Sequence, residues 1–353
     1  MAAEVTTPVP RGRPVPGSGR VMGWIGGLIV LLMLLSCLLS LPYTFGRIPA
    51  GMEGAADEGA ALAAAAFPQR FEATNLDEAL LPPTWAPMAE DERQRIDDLT
   101  ASQGRRPVHL LGSDRLGRDV LVRCLAGGGI SLGIGLAAAV ISVVIGTTYG
   151  AISGYFGGRI DAALMRIVDI LYGLPYILMV VLLAVAVDGL IERMGSDLRP
   201  GMRQVINVIT LLVAIGGVSW LTMARVIRGQ VLSLKQQPFM EACRAIGVPL
   251  HRQFIRHLLP NLMGPIIVYA TLTVPSAILS ESFLSFLGIG VKEPLPSWGN
   301  LAADGLSELN IVRSRWWLLF WPCLFVGMTL LSLNFVGEGL REAFDPRRRV
   351  AGE

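Results

Sequence analysis

The stretch Glu241 to Pro260, EACRAIGVPLHRQFIRHLLP, lies between two long apolar runs of the chain and is too polar to belong to either. From Arg225 to Asn261 the chain carries six basic residues and a single acidic one, Glu241. Positively charged loops next to membrane spans are retained on the cytoplasmic side. The stretch therefore predicts a cytoplasmic loop that joins two transmembrane helices.

The first part of this loop, PFMEACRAIG, predicts a short helix. Glu241 lies early in the segment, where a carboxylate favours a helix N-terminus, and the Ala, Arg and Ile residues that follow continue the helix. Gly247 and Pro249 predict its end. After a polar turn, the chain is expected to return to the membrane at Pro260.

The spacing of these residues resembles the EAA loop of the membrane subunits of bacterial ABC importers, in which Glu-Ala-Ala is followed by three residues, a glycine and, further on, Leu-Pro. The matching residues are Glu241, Ala242, Cys243, Gly247, Leu259 and Pro260. Cys243 stands where a second alanine is usual, and His257 stands where isoleucine is usual. The segment RHLLPN is similar to the oligopeptide, dipeptide and nickel branch of that family.

The resemblance implies that the loop is a coupling helix, which docks into a groove on a separate ATPase subunit. The implied partners are a second homologous permease subunit, two ATP-binding subunits that hold ATP and Mg, and an extracytoplasmic substrate-binding protein. No cofactor is expected in this chain. Small Ala242, Cys243 and Gly247 would permit close approach of the ATPase, and Glu241 would offer it an acceptor. The alternative is an amphipathic loop that lies on the lipid surface.

The composition independently indicates a membrane protein. Of the 353 residues 52% are hydrophobic and 16% are charged, whereas an ordinary soluble domain carries about a quarter of charged residues. The net charge of +2, without a basic run interleaved with aromatics, gives no reason to expect nucleic acid binding. The four cysteines lack metal-ligand spacing and are interpreted as small buried hydrophobes. They are Cys37, Cys124, Cys243 and Cys323.

The N-terminal part divides into a tail, a span and an insert. Residues 1–20 predict a flexible basic cytoplasmic tail, and residues 21–46 are free of charge and long enough to span the bilayer. The rival, a cleaved signal peptide, typically has an apolar core of only about 7 to 15 residues. Residues 47–127 predict an extracytoplasmic insert followed by a lead-in segment. Within that segment, local turns and ion pairs are expected among Asp114, Arg115, Gly117, Arg118 and Asp119.

Residues 128–342 are assigned to an ABC transmembrane type-1 domain, with the coupling loop at 229–261 and a cytoplasmic tail at 343–353. The predicted spans after the first lie within Cys124 to Gly158, Leu164 to Val187 with a break at Gly173 and Pro175, Gln204 to Ala224, Leu262 to Leu287, and Trp316 to Gly337. Glycines at four-residue spacing in the second span predict close helix packing. They are Gly129 and Gly133, then Gly146, Gly150 and Gly154. Trp316 and Trp317 are interpreted as an interfacial belt.

The predicted fold is therefore an all-α membrane protein with six transmembrane helices, the type I importer fold that the resemblance implies. Both termini are expected in the cytoplasm, and the chain is expected in the inner membrane as a multi-pass protein.

Ionisable residues within spans are functional candidates, because burying a charge in hydrocarbon costs about 2.5–3.5 kcal/mol on insertion scales. Glu281 is the best candidate to line a pathway, with a pairing role against a neighbouring helix as the alternative. Asp169 is a candidate gate residue or a structural ion pair with nearby Arg166.

Three other classes of function were compared with the importer permease. A proton-coupled secondary transporter would want several midplane carboxylates or a repeat, and neither is found. A membrane-anchored enzyme would need a catalytic or metal constellation, and none is arranged in the sequence. A P-loop is also missing, so any ATP hydrolysis belongs to another chain. The function predicted is a non-enzymatic permease subunit for peptides or a related solute such as nickel, and an ABC system for a non-peptide cargo stays open.

Overall fold

The computed structural model describes residues 18–46, 69–104, 106–193, 200–309 and 314–344. Within these ranges the chain is helical, and strand-like pairing is limited to two isolated bridges. The predicted tail at 1–17, the insert residues 47–68 and the C-terminal residues 345–353 lie outside the described residues. An all-helical architecture is thus confirmed for the described part of the chain.

The helices follow one another with short connections. They are α1 Ser18–Thr44, α2 Glu90–Gln103, α3 Val120–Phe156, α4 Gly158–Tyr172, α5 Tyr176–Arg193, α6 Pro200–Leu234, α7 Pro238–Ala245, α8 Leu250–Gln253, α9 Leu259–Phe286, α10 Trp298–Ser307 and α11 Trp316–Phe344. A 3-10 turn at Leu76–Glu78 precedes α2, and a π turn at Phe254–Leu258 joins α8 to α9.

Five stretches of the described residues are long and apolar enough to cross a membrane. They are Val21–Thr44, Val120–Phe156, Met202–Leu234, Leu250–Phe286 and Trp316–Phe344. A sixth span results if α4 and the first part of α5 are counted as one broken span, although the two helices meet at 89°. The break predicted at Gly173 and Pro175 is therefore present, and it is a sharp corner.

Helices α3 and α6 pack closely because glycines line one side of α3. A Cβ added at Gly150 would lie 2.3 Å from the carbonyl oxygen of Ala224, and one at Gly154 would lie 2.9 Å from that of Arg228. This confirms the close packing predicted for the second half of the ladder. Gly133 faces open space, so the first half does not serve the same contact.

Helix α1 packs against the last helix, α11, through small residues on both sides. A Cβ at Gly23 would lie 2.9 Å from the Cα of Gly339, and one at Gly26 would lie 2.5 Å from the carbonyl oxygen of Ser332. The first span is thus a packed member of the helix bundle, as expected of an uncleaved span.

At the end of the bundle remote from α7, the lead-in segment folds around Asp114. Its carboxylate accepts from Arg118 Nε at 2.7 Å and from Arg123 Nη1 at 2.6 Å. Burial alone would raise the pKa of Asp114, but the two arginines outweigh it and hold the pKa below its usual range. Asp119 caps α3 by accepting from the Val122 N–H at 3.0 Å. The turns and ion pairs predicted for this segment are confirmed.

The tryptophans at the start of α11 correct one prediction. Trp317 is buried, and its Nε1 donates to the carbonyl oxygen of Ser113 at 3.3 Å. It therefore fastens α11 to the lead-in segment and does not belong to an interfacial belt. Trp298 is fully buried nearby, where its Nε1 donates to the Cys124 carbonyl oxygen at 2.9 Å.

The return from the loop to the membrane also differs from the prediction. The helix resumes at Leu250, and a π turn carries it past Pro260 without a separate start. In that turn the Leu259 N–H donates to the Phe254 carbonyl oxygen, directly before Pro260, which has no N–H to donate. The wider turn thus accommodates a proline that was expected to begin the span.

Candidate functional site

Helix α7 forms the centre of the predicted coupling loop and ends as its sequence dictates. Pro238 occupies its first turn, where its missing N–H costs nothing. Gly247 adopts a φ of +73°, its N–H donates to the Arg244 carbonyl oxygen at 3.1 Å, and the Val248 N–H donates to the Cys243 carbonyl oxygen at 3.0 Å. This pair of bonds is a Schellman motif, which favours glycine at the left-handed position.

The two faces of α7 have different surroundings. Met240 and Cys243 are buried toward the rest of the chain, whereas Glu241, Ala242 and Arg244 are exposed. Cys243 therefore does not lie on the surface that a partner would approach, which corrects its predicted role. Its small size serves packing beneath α7, because positions three apart on a helix share one face.

Apolar side chains surround the exposed Glu241 and Ala242. Ile246 is 77% exposed, and Leu250 and Phe239 are also exposed. No Cβ contact would arise within 4 Å of Gly247 in the chain itself. The result is an apolar surface with one carboxylate and an open glycine, referred to below as the α7 surface.

The remaining two residues of the motif have separate environments. Leu259 is partly buried and packs against a cluster that includes Met223, Ile227 and Leu262. Pro260 is exposed. Leu259 is therefore a packing residue at the base of the loop, and neither residue contributes to the α7 surface.

Beneath α7, ion pairs and hydrogen bonds join the ends of three helices. Arg228 of α6 donates to both carboxylate oxygens of Asp161 on α4, from Nε at 2.5 Å and from Nη2 at 2.6 Å. The Ser153 hydroxyl of α3 donates to the same carboxylate. Lys235 Nζ donates to the Tyr155 carbonyl oxygen at 2.5 Å, and burial lowers its pKa.

A second connection joins α3 to the returning helix. The Tyr155 hydroxyl donates to Gln253 Oε1 at 2.9 Å, and Gln253 Nε2 donates to the Val248 carbonyl oxygen at 2.6 Å. These two bonds and the contacts of Arg228 and Lys235 are referred to below as the α7 frame. The frame also places the turn at Gly157 and α7 at the same end of the bundle.

The sequence interpretation missed the residues of the frame. Asp161 was assigned only to a turn, and Arg228 and Lys235 were counted only as positive charges. A usable signal was present, since Asp161 and Arg228 are opposite charges at the ends of apolar runs, where an unpaired charge is costly.

Asp169 forms an ion pair, but across helices. Its Oδ1 accepts from Arg225 Nη2 at 2.7 Å, so the partner lies on α6 and is not the neighbouring Arg166. The Arg225 guanidinium also lies 4.0 Å from the ring centroid of Tyr172. The pair is largely exposed, with Asp169 facing outward from the bundle.

Glu281 lies where it cannot line an open surface. Its side chain is fully buried, Ser285 donates to Oε1 at 2.7 Å and Ser282 donates to Oε2 at 3.3 Å. Ser131 of α3 and Ser297, the cap of α10, are further hydrogen-bond neighbours. This placement favours the alternative in which Glu281 joins neighbouring elements. The predicted pathway role is not supported by its position.

No group of three or more His, Cys, Asp or Glu side chains within the described ranges has an arrangement that could hold a metal ion. Cys37, Cys124 and Cys243 are buried in packing positions, whereas Cys323 is exposed on α11.

Residues 146–350 match the family described as binding-protein-dependent transport system inner membrane component. The oligopeptide transport system permease protein OppC of Haemophilus influenzae is 44% identical over 251 residues, which cover 71% of this chain and 74% of the relative. The dipeptide transport system permease protein DppC of Bacillus subtilis is 46% identical, with 68% and 69% covered. OppC of Escherichia coli is 47% identical, with 68% and 73% covered.

The matched region contains α4 to α11, the α7 surface and most of its frame, and the relatives extend the similarity over most of the chain. The relatives are named as permease proteins of transport systems and not as enzymes. The chain therefore belongs to the family of binding-protein-dependent transport system inner membrane components, as a multi-pass permease of the oligopeptide and dipeptide branch of ABC importers.

Proposed function

We propose that this chain imports peptides as one of two permease subunits, and that the α7 surface couples it to a separate ATPase. The peptide cargo is supported by relatives that are named as oligopeptide and dipeptide permeases. Because those relatives are named for peptide systems, peptide is preferred to nickel or another solute. The second permease, the two ATP-binding subunits and an extracytoplasmic binding protein complete the proposed complex.

The observation that carries the coupling proposal is the combination of an exposed α7 surface with a bonded frame below it. Glu241, Ala242 and Gly247 are open to a partner, while Met240 is fully buried below them. Small residues at the contact let an ATPase groove approach the α7 backbone closely, and Glu241 offers an acceptor to a donor in that groove.

The frame gives the force a route into the membrane helices. Lys235 is bonded to the end of α3, Arg228 joins α6 to α4, and Gln253 joins the returning helix to Tyr155. A displacement of α7 is thus transmitted to α3, α4, α6 and α9 together. Closure of the ATPase pair would tilt these helices and alternate access to a cavity between the two permeases.

The proposed topology has six spans, with α4 and α5 forming one broken span. The basic loop around α7 faces the cytoplasm, as the positive-inside rule favours. The turn at Gly157 lies beside it, and both termini are placed on the same side. The insert and the segment around Asp114 then face outward, where the binding protein would dock. ATP and Mg are bound by the partner ATPase.

The experiment that tests the proposal is co-purification of ATPase activity with the detergent-solubilised chain. Gly247→Asp adds bulk and charge to the α7 surface. The matched control is Gly104→Asp, because Gly104 has a φ of +67° and open space around it but lies at the end of α2. We expect ATPase activity with the wild type and with Gly104→Asp, and its loss with Gly247→Asp. Equal activity with Gly247→Asp would reject docking at α7 and favour the lipid-surface alternative.

A further inference from the structure

The corner between α4 and α5 requires a special environment. The helices end and begin at Tyr172 and Tyr176, with Gly173, Leu174 and Pro175 between them, and they meet at 89°. Non-helical backbone at membrane depth is tolerated only where it is buried in protein or lines a water-filled cavity. The corner therefore marks a place that does not face lipid.

Two cavities open at this corner and share Tyr176. One has a volume of about 350 Å³ and is lined by residues that include Leu174, Tyr176, Ser219 and Thr222. The other has a volume of about 260 Å³ and is lined by residues that include Tyr176, Ser280 and Phe283. The two cavities are referred to below as the Tyr176 recess. Their size suits a small ligand or a segment of one.

Three hydroxyl groups meet inside the recess. The Tyr176 hydroxyl lies 3.2 Å from Ser219 Oγ and 3.4 Å from Ser280 Oγ. Ser219 also lies 2.7 Å from the Ile215 carbonyl oxygen, and Ser280 lies 2.8 Å from the Ser276 carbonyl oxygen. Each serine can thus direct its own hydrogen to its helix backbone.

The proton count of this cluster makes it a hydrogen-bond acceptor. With both serine hydrogens directed to the backbone, only the Tyr176 hydrogen is left, and it can satisfy one serine oxygen. Lone pairs on the other serine and on the Tyr176 oxygen then have no donor within the cluster. None of the described residues that line the two cavities is charged. A ligand with N–H donors would fit this arrangement without regard to the charge of its side chains.

We propose that the Tyr176 recess is the substrate-contact site of this chain, in which Tyr176, Ser219 and Ser280 accept hydrogen bonds from backbone N–H groups of the transported peptide. The inference rests on the proposed function, since it takes the cargo to be a peptide. It assigns the pathway to an uncharged recess and not to the buried Glu281. Backbone N–H groups are common to all peptides, so this chain would pass many sequences and leave selection to other subunits.

The test uses the complete transporter in proteoliposomes, with uptake of trialanine, trilysine and triglutamate as probes. Tyr176→Phe removes only the hydroxyl. Ser276→Ala is the matched control, because Ser276 is an exposed serine one turn before Ser280 on α9 and does not line either cavity. We expect a several-fold loss of uptake with Tyr176→Phe, similar for all three peptides, and no loss with Ser276→Ala. ATPase activity should still co-purify with both variants.

The outcomes separate the recess from the proposed function. Wild-type uptake that is unchanged in Tyr176→Phe overturns the recess alone. A loss confined to trilysine or to triglutamate overturns the backbone recognition. If none of these peptides enters with the wild type, the peptide cargo fails, and the recess proposal fails with it.

A second measurement does not depend on the rate of uptake. Ser280→Cys in a Cys323→Ser background places one accessible thiol in the recess, since the other three cysteines are buried. Trialanine in the assembled complex should slow the modification of Cys at this position by a thiol reagent. The same peptide should not protect Ser276→Cys. Equal rates with and without peptide at position 280 overturn the proposal even if Tyr176→Phe fails to fold.

Discussion

Arg228 binds Asp161 through both carboxylate oxygens, at 2.5 and 2.6 Å, and this pair joins α6 to α4 below α7. Its two side chains are 34% and 15% exposed, whereas those of the Arg225–Asp169 pair are 37% and 62% exposed. Bidentate pairing of this kind needs a guanidinium, because a lysine ammonium cannot reproduce its planar fork. The two pairs therefore allow a direct comparison.

Arg228→Lys is expected to lower stability by about 1–3 kcal/mol, since a charge-assisted bond is lost from a half-buried site. Arg225→Lys is the control and should cost less than about 1 kcal/mol, because its pair is more exposed and screened. The thermal midpoints of the purified proteins in detergent check both. Equal shifts in the two variants would contradict a special role for the Arg228 pair.

Gly247→Ala is expected to loosen the end of α7. Alanine in the left-handed region costs about 1–2 kcal/mol relative to glycine, and asparagine tolerates that region better. Hydrogen exchange of the Gly247-site and Val248 amides should therefore speed up in Gly247→Ala and less so in Gly247→Asn. Gly104→Ala carries the same strain at the end of α2, and it should leave exchange at α7 unchanged. Unaltered exchange in Gly247→Ala would count against the Schellman geometry.

The end of α7 shows what local sequence could predict. A glycine after a short helical segment demands a left-handed residue, so the helix and its stop followed from neighbouring residues. The orientation of Cys243 did not, because the motif specifies small size and gives no direction. The partner of Asp161 could not be deduced either, since Arg228 lies 67 residues away and meets it only after α4 and α6 pack. Trp317 likewise needed the fold around Ser113 before its burial was evident.

His109 makes the outer segment sensitive to pH. Its Nε2 lies 2.9 Å from Glu78 Oε2 and its Nδ1 lies 3.1 Å from Asp119 Oδ2. Burial would lower the pKa of His109, but Asp119 and Glu78 outweigh it and raise the pKa above 6.5. A raised pKa in the folded state means that the stabilisation is fully present below pH 6.5 and is lost as pH rises through the folded pKa.

The thermal midpoint should therefore fall as pH rises above 6.5, and His109→Gln should remove most of that slope. The matched control is His251→Gln, because His251 is exposed in the loop beside α7. A slope that persists in His109→Gln would assign the pH dependence to other groups.

Glu281 separates a structural carboxyl from a pathway carboxyl. Glu281→Gln keeps the size and a carbonyl acceptor for Ser285, so we expect near-normal stability and uptake. Glu281→Ala leaves the surrounding serine hydroxyls without an acceptor, at a cost of about 1–3 kcal/mol. Melting and peptide uptake measured on the same preparations test this. Loss of uptake in a normally stable Glu281→Gln would restore the pathway interpretation.

Tyr155→Phe tests whether force passes through the α7 frame, because it removes one bond between α3 and the returning helix. Gln253 keeps its bond to the Val248 carbonyl oxygen, and the α7 surface is untouched. The lost hydrogen bond is worth about 1 kcal/mol, so the protein should still fold. ATPase activity should co-purify as with the wild type, while the peptide transported per ATP hydrolysed should fall. Tyr149→Phe is the control, since it loses a comparable bond from α3 to the Leu164 carbonyl oxygen on α4. If Tyr155→Phe loses the ATPase itself, α7 depends on this bond for docking, and if transport per ATP is unchanged, the force takes another route.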